Sequence, residues 1–131
     1  MHRIPAERAG EGLYDADAIC DALSAQDHVP LDRIARDFAP LADRTKLRIL
    51  VSLLQIGELC VADLAVVSGL SVSATSHALR ELSARSMVTV RRDGRRAFYR
   101  ATDSPYVAFL RSLLADLPAR AHRHHRHVTA S

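Results

Sequence analysis

Ser71-Val-Ser-Ala-Thr-Ser-His-Ala-Leu-Arg80 and, after seven intervening residues, Val88-Thr-Val-Arg-Arg-Asp93-Gly94-Arg-Arg-Ala-Phe-Tyr-Arg100 decide the fold. Ser71 is a hydroxyl able to cap a helix that runs to about Ala84. At the helical period, Ser73, Ser76, His77 and Arg80 share one face, while Thr75, Ala78, Leu79 and Leu82 gather opposite. One face is therefore apolar and anchored. The other presents hydroxyls, an imidazole and a guanidinium able to read base edges in a major groove. The bland alternative is an amphipathic surface helix. The second stretch alternates about Asp93-Gly94, a strong two-residue hairpin signal. A turn at 93–94 sets Val88 opposite Tyr99 and Val90 opposite Ala97, facing inward. It also sets Arg91 opposite Arg96 and Arg92 opposite Arg95. Like charges facing each other destabilise a ladder, so arginines crowded at a hairpin tip point to phosphates as their partners.

Working outward, a short helix from Cys60 to about Val67 ends at Ser68-Gly69. Short helix, glycine turn, longer helix and basic hairpin make a winged helix-turn-helix, mostly α with a β-hairpin wing. Before it, Asp43 caps a helix over about Arg44–Gln55 with the apolar stripe Leu47, Leu50, Val51 and Leu54, closed by Gly57. A first helix is predicted over about Leu13–Ser24. Val29-Pro30 interrupts, and a second helix carries Leu31, Ile34, Ala35 and Phe38 on one face before stopping near Pro40. After the wing, Ser104 caps a last helix with Pro105 in its first turn, and Pro118 ends it. Its stripe of Val107, Leu110, Leu114 and Leu117 is widened by Tyr106, Phe109 and Leu113. That is more apolar surface than one small domain readily covers: the helix could close the core, or pair with its twin in a homodimer joined through terminal helices, whose two-fold symmetry would match palindromic double-stranded operator DNA. The expected organisation is a disordered arm over 1–12, the winged-helix domain over 13–117, and a flexible His/Arg-rich tail over 118–131.

The composition agrees. The 131 residues are 48% apolar and 25% charged, with no Trp and only three Phe, so the core is aliphatic and suits helix packing. Residues 1–43 carry nine acids against four bases, whereas residues 71–100 carry seven arginines against Glu81 and Asp93. A localised basic stretch is the footprint of a polyanion. No apolar run is long enough to span a bilayer, and residues 1–10 lack the apolar core of a signal peptide, so a cytoplasmic protein without membrane partners is expected. No nucleophile–base pair, phosphate-binding glycine loop or paired carboxylates argue for an enzyme.

Cys20 and Cys60 are too few for a disulfide framework; they read as buried thiols or as thiolate ligands. His122, His124, His125 and His127 in the tail are donors suited to nickel, cobalt, zinc or copper(II), or else part of a solvated basic tail touching phosphates.

Three segments resemble the ArsR/SmtB family of metal-sensing repressors: Leu41-Ala-Asp-Arg-Thr-Lys-Leu-Arg-Ile-Leu50, Glu58-Leu-Cys-Val-Ala-Asp-Leu64 and Ser71–Arg80. The wing fits as well, and the likeness covers roughly residues 31–117. It implies a homodimeric repressor that holds operator DNA until an inducer binds. The candidate DNA contacts are Ser71, Ser73, Thr75, Ser76, His77 and Arg80 on the reading helix, with Arg91, Arg92, Arg95 and Arg96 on the wing. Some relatives place two cysteines in the Glu-Leu-Cys-Val-Cys-Asp-Leu motif and further ones on the N-terminal arm. Here Cys60 fills the first position, Ala62 stands at the second, and Cys20 could supply the arm's thiolate, with His28, Asp17 and Asp21 nearby. Such a site implies zinc, cadmium, lead, copper(I) or arsenite. Other relatives hold metal between terminal helices, where the matching positions are Asp103, Pro105, Asp116 and Ala119, with both histidines and the glutamate missing. The alternatives are a thiol-redox switch through Cys20 and Cys60, a nickel or cobalt sensor using the tail, and a metal buffer that binds no DNA.

Overall fold

A computed structural model describes residues 15–118, which fall into two compact units, one ending at Phe38 and one starting at Ala39. In the first unit, helix α1 spans Ala16–Asp27. It starts later than predicted because Asp15 is its cap, accepting the Ala18 N–H at 3.0 Å. Leu13 lies outside the described residues. Helix α2, Leu31–Phe38, follows Pro30, whose carbonyl accepts from the Ile34 N–H at 3.0 Å.

The second unit opens with a turn of 3-10 helix over Ala39–Ala42 and helix α3 over Arg44–Ile56. Asp43 caps α3 as expected, accepting from the Thr45 and Lys46 N–H groups at 2.9 and 3.3 Å. The predicted stripe is out of phase: Ile49, Leu50 and Leu53 are buried, while Leu47, Val51 and Leu54 are only partly so. The helix is apolar on most sides, and its neighbours choose which side goes inward. Strand β1, Leu59–Cys60, was not anticipated, because two residues are too short to show alternation. Helix α4, Val61–Ser68, therefore begins one residue later than expected. Gly69 ends it with a left-handed φ of 72° that a side chain would strain.

Helix α5, Val72–Ala84, takes the expected bounds, with the Ser71 hydroxyl accepting from the Ala74 N–H at 3.0 Å. Its inward set is Thr75, Ala78, Leu79 and Leu82. Strands β2, Val88–Asp93, and β3, Arg96–Ala101, form the wing and join β1 in the order β1-β3-β2. Helix α6, Pro105–Asp116, has its Ser104 cap and a proline in its first turn. The core joins Ile49, Leu50 and Leu53 of α3 to Leu64 of α4, Leu79 and Leu82 of α5, Met87, Val88, and Val107 and Leu110 of α6. This is a winged helix-turn-helix.

The hairpin register differs from the expected one by two residues. Val88 faces Ala101, Val90 faces Tyr99, Arg91 faces Phe98, Arg92 faces Ala97 and Asp93 faces Arg96. Gly94 and Arg95 form the turn, and the positive φ of 65° falls on Gly94 at its first central position, the type II′ pattern. Asp93 thus joins the ladder opposite a base, and no arginine faces another. Val90 is 42% exposed, so it does not pack inward as Val88 does.

Candidate nucleic-acid interface

Burial of the apolar side of α5 turns its polar side outward. Ser73, His77 and Arg80 are exposed and Ser76 is half-buried. Thr75 departs from the candidate set: it is fully buried, and its hydroxyl donates to the Ser71 carbonyl at 2.8 Å. It braces the first turn of the helix and cannot reach a base. The Ser71 hydroxyl is committed to the cap.

A four-residue ion network steadies α5 against α3. The Lys46 ammonium lies 2.7 Å from Glu81 and 3.2 Å from Asp43, and His77 lies 3.6 Å from Glu81. Hydrogen bonding from Lys46 holds the Glu81 and Asp43 carboxyls below their usual values, and bonding to Glu81 holds Lys46 above its own. A depressed carboxyl stabilises the fold above its unfolded value, 4.5 for Glu81, and loses that contribution as pH falls through the lower folded value. Lys46 works in the other direction, losing its contribution only as pH rises above 10.5. The expected result is that Glu81→Gln lowers the urea midpoint at about pH 6 more than at about pH 3. Equal losses at both would remove the network from the pH dependence.

Between α5, the start of α4 and the wing lies a cavity of about 620 Å³, bordered by Ser76, Arg80, Arg92, Arg95 and Arg96, with Cys60 and Tyr99 also in its wall. The fold thus brings the reading helix, three of the four wing arginines read as DNA contacts and one candidate thiol to a single groove. Such a groove suits a phosphate-bearing strand, since four guanidinium groups border it and a helix face with short donors lies beside it. The fourth wing arginine is not among the lining residues. The Arg91 guanidinium is gripped by Glu58, Nε to Oε2 at 3.0 Å and Nη2 to Oε1 at 2.9 Å, and lies 4.8 Å from the Phe98 ring centre. Neither Glu58 nor Phe98 stood out as a functional residue. The available signal was an acid two residues before Cys60, which carries no information about a partner 33 residues away.

The thiols belong to different units. Cys20 is buried on α1, and Cys60 is buried at the cap position of α4, where it makes no side-chain capping bond; neither is in a disulfide. His28 is the exposed residue closing α1. Asp103 stands before α6 and pairs with Arg111 at 3.4 Å, whereas Asp116 ends that helix, so the two mark its opposite ends. His122, His124, His125 and His127 lie outside the described residues. Among the described residues, no three or more His, Cys, Asp or Glu side chains come together to hold a metal ion. A structural zinc takes four ligands, more than the single thiol of Cys60 in the second unit supplies. Among the described residues no helix is long and apolar enough to cross a membrane.

The family model for bacterial regulatory proteins of the arsR family matches residues 43–89, from the cap of α3 through α5 to the start of the wing. A homodimeric winged helix-turn-helix DNA-binding domain from Mycobacterium bovis superposes with a TM-score of 0.56 at 32% identity, covering 80% of this chain and 89% of that one. The chain belongs to the ArsR family. This ArsR-family chain is also 44% identical over 72 residues to the transcriptional repressor SmtB homolog of a Synechocystis species, covering 55% of this chain and 54% of that protein. To the cadmium resistance transcriptional regulatory protein CadC of Listeria innocua it is 37% identical over 62 residues, covering 47% of this chain and 52% of that one. The matched stretches span about half the length of these two relatives.

Proposed function

We propose that this protein is a transcriptional repressor that binds palindromic operator DNA as a homodimer and releases it when a thiophilic metal ion binds. The groove carries the reading: Ser76 and Arg80 of α5 meet Arg92, Arg95 and Arg96 of the wing around one cavity. In this arrangement Ser73, Ser76, His77 and Arg80 face the bases, and the wing arginines take the phosphates beside them. Homodimerisation is supported by the M. bovis neighbour and by α6 with the residue that closes it: Phe109, Leu113 and Leu117 are 48%, 46% and 61% exposed. A metal effector is supported by the cadmium-resistance regulator among the relatives and by the place of Cys60 in the groove wall. Cys60 is the one cysteine after residue 38, so any further thiolate comes from beyond its own unit.

The test is fluorescence anisotropy of the reduced, full-length protein on DNA from upstream of its own gene, with zinc, cadmium, nickel, cobalt and arsenite titrated in turn. Release by zinc, cadmium or arsenite, lost in Cys60→Ser, is the expected result. Release by nickel or cobalt alone moves the effector site to the histidines. Tight binding unaffected by every ion keeps the repressor and discards the metal, and no sequence-specific binding overturns the whole proposal.

A further inference from the structure

We infer that Glu58, Arg91 and Phe98 form a clamp that sets the position of the wing on the helix-turn-helix, and that Arg91 is a positioning residue and not a phosphate contact. The inference rests on the DNA-binding reading for its consequence, though the clamp itself does not.

The wing arginines divide into two groups. Neighbouring side chains of a strand point to opposite faces of the sheet, so Arg91 and Arg92 must part company. Arg92 borders the groove with Arg95 and Arg96. Arg91 instead lies over Phe98, its cross-strand partner, and presents its fork to the Glu58 carboxylate. The two parallel hydrogen bonds use both carboxylate oxygens, the geometry in which arginine holds a carboxylate best. Asp93, 3.8 Å from the same guanidinium, adds a second negative neighbour. The charge of Arg91 is therefore balanced from within. A phosphate would have to displace a bidentate carboxylate and then sit beside it, like charge against like.

The position of Glu58 explains what the clamp holds. The residue directly precedes β1, whose Leu59 and Cys60 pair with Tyr99 and Phe98 of β3, and β1 passes straight into α4. Two residues of strand are a slender attachment for a hairpin of two six-residue strands. The Glu58–Arg91 pair adds a second tie, running across β3 from the lead-in of α4 to β2. Phe98 lies under the guanidinium and restricts its swing. Reading helix and wing tip must meet DNA together, so fixing the hairpin's angle raises affinity without adding a charge contact.

The test is a cycle of Glu58→Gln, Arg91→Gln and the double variant, with DNA affinity measured across a range of salt concentrations and urea midpoints confirming that each variant is folded. Arg95→Ala serves as the control for a phosphate contact, with an expected loss of about 0.9 in the salt slope. The clamp predicts that both single variants weaken binding by about fivefold, that the double variant is no worse than either, and that the salt slope stays at the wild-type value. Opposite signs for the two single variants, with Glu58→Gln binding more tightly and Arg91→Gln losing slope, would show that Arg91 is a phosphate contact restrained by Glu58 and overturn the inference. Additive losses would overturn it as well. Amide hydrogen exchange over residues 89–100 keeps the question apart from DNA binding. Faster exchange in Glu58→Gln supports the clamp even if the wild type binds no DNA, and unchanged exchange removes it.

Discussion

Replacing Arg95 and Arg96 together by alanine is expected to weaken binding to every DNA sequence alike and to lower the slope of log affinity against log salt by about two. Both side chains border the groove beside α5, and both are exposed. Arg96 sits opposite Asp93 in the ladder, while Arg95 occupies the turn itself. Neither makes a bidentate pair of the kind that holds Arg91, so both remain able to meet phosphate. The loss should be uniform across sequences, because phosphates carry no base identity. Changing Ser76 or Arg80 on the reading helix should instead reduce discrimination between operator and unrelated DNA. Unchanged affinity and slope in the double alanine variant would place the DNA elsewhere on the molecule and remove the wing from the proposal.

The second large effect concerns the scaffold that presents this surface. Leu79→Ala is expected to cost about 2–5 kcal/mol of folding free energy, read as a lower urea midpoint at a fixed protein concentration. Leu79 is fully buried and belongs to the cluster that joins α3, α4, α5 and α6. Truncating it removes apolar contact and leaves a cavity beneath the helix that carries Ser76, His77 and Arg80. Val66→Ala provides the contrast: its side chain is 79% exposed, and a change of no more than about 0.5 kcal/mol is expected. A similar small loss at Leu79 would mean that α5 is not anchored by this core.

Legibility from sequence followed the range of the interactions involved. The bounds and phase of α5 were readable because a cap at Ser71 and an uninterrupted period with one apolar side are contained within fourteen residues. The same holds for the Asp43 and Ser104 caps and for the glycine after α4. Thr75 shows how residue type misleads when it is separated from position. Its hydroxyl suggested DNA contact, but its place on the inward side turned that hydroxyl back to the Ser71 carbonyl. On α3 the pattern was readable but ambiguous, because Leu47, Ile49, Leu50, Val51, Leu53 and Leu54 offer apolar surface in more than one direction.

In the hairpin, turn preference and cross-strand pairing favour different registers. Asp-Gly is favoured as the central pair of a turn, and that preference suggested arginine facing arginine. A shift of two residues leaves every side chain on the same face, so alternation cannot tell the two registers apart. The observed register gains Asp93 opposite Arg96 and Arg91 over Phe98 and avoids opposed like charges. The arginines at the tip therefore border a groove instead of repelling one another across the ladder.

By itself the sequence determined the helices of the DNA-reading unit, their caps, the polar face of α5 and the presence of a basic wing. Each of these depends on residues within a few positions of one another, where periodicity and capping chemistry act directly on the backbone. Only the tertiary structure decided the side of α3 that is buried, the register of the wing, the retention of Arg91 by Glu58 and the meeting of Cys60 with Arg80, Arg92, Arg95 and Arg96 around one groove. Those outcomes depend on groups far apart in the chain, whose interaction energies come into play only once packing has brought them within a few ångströms.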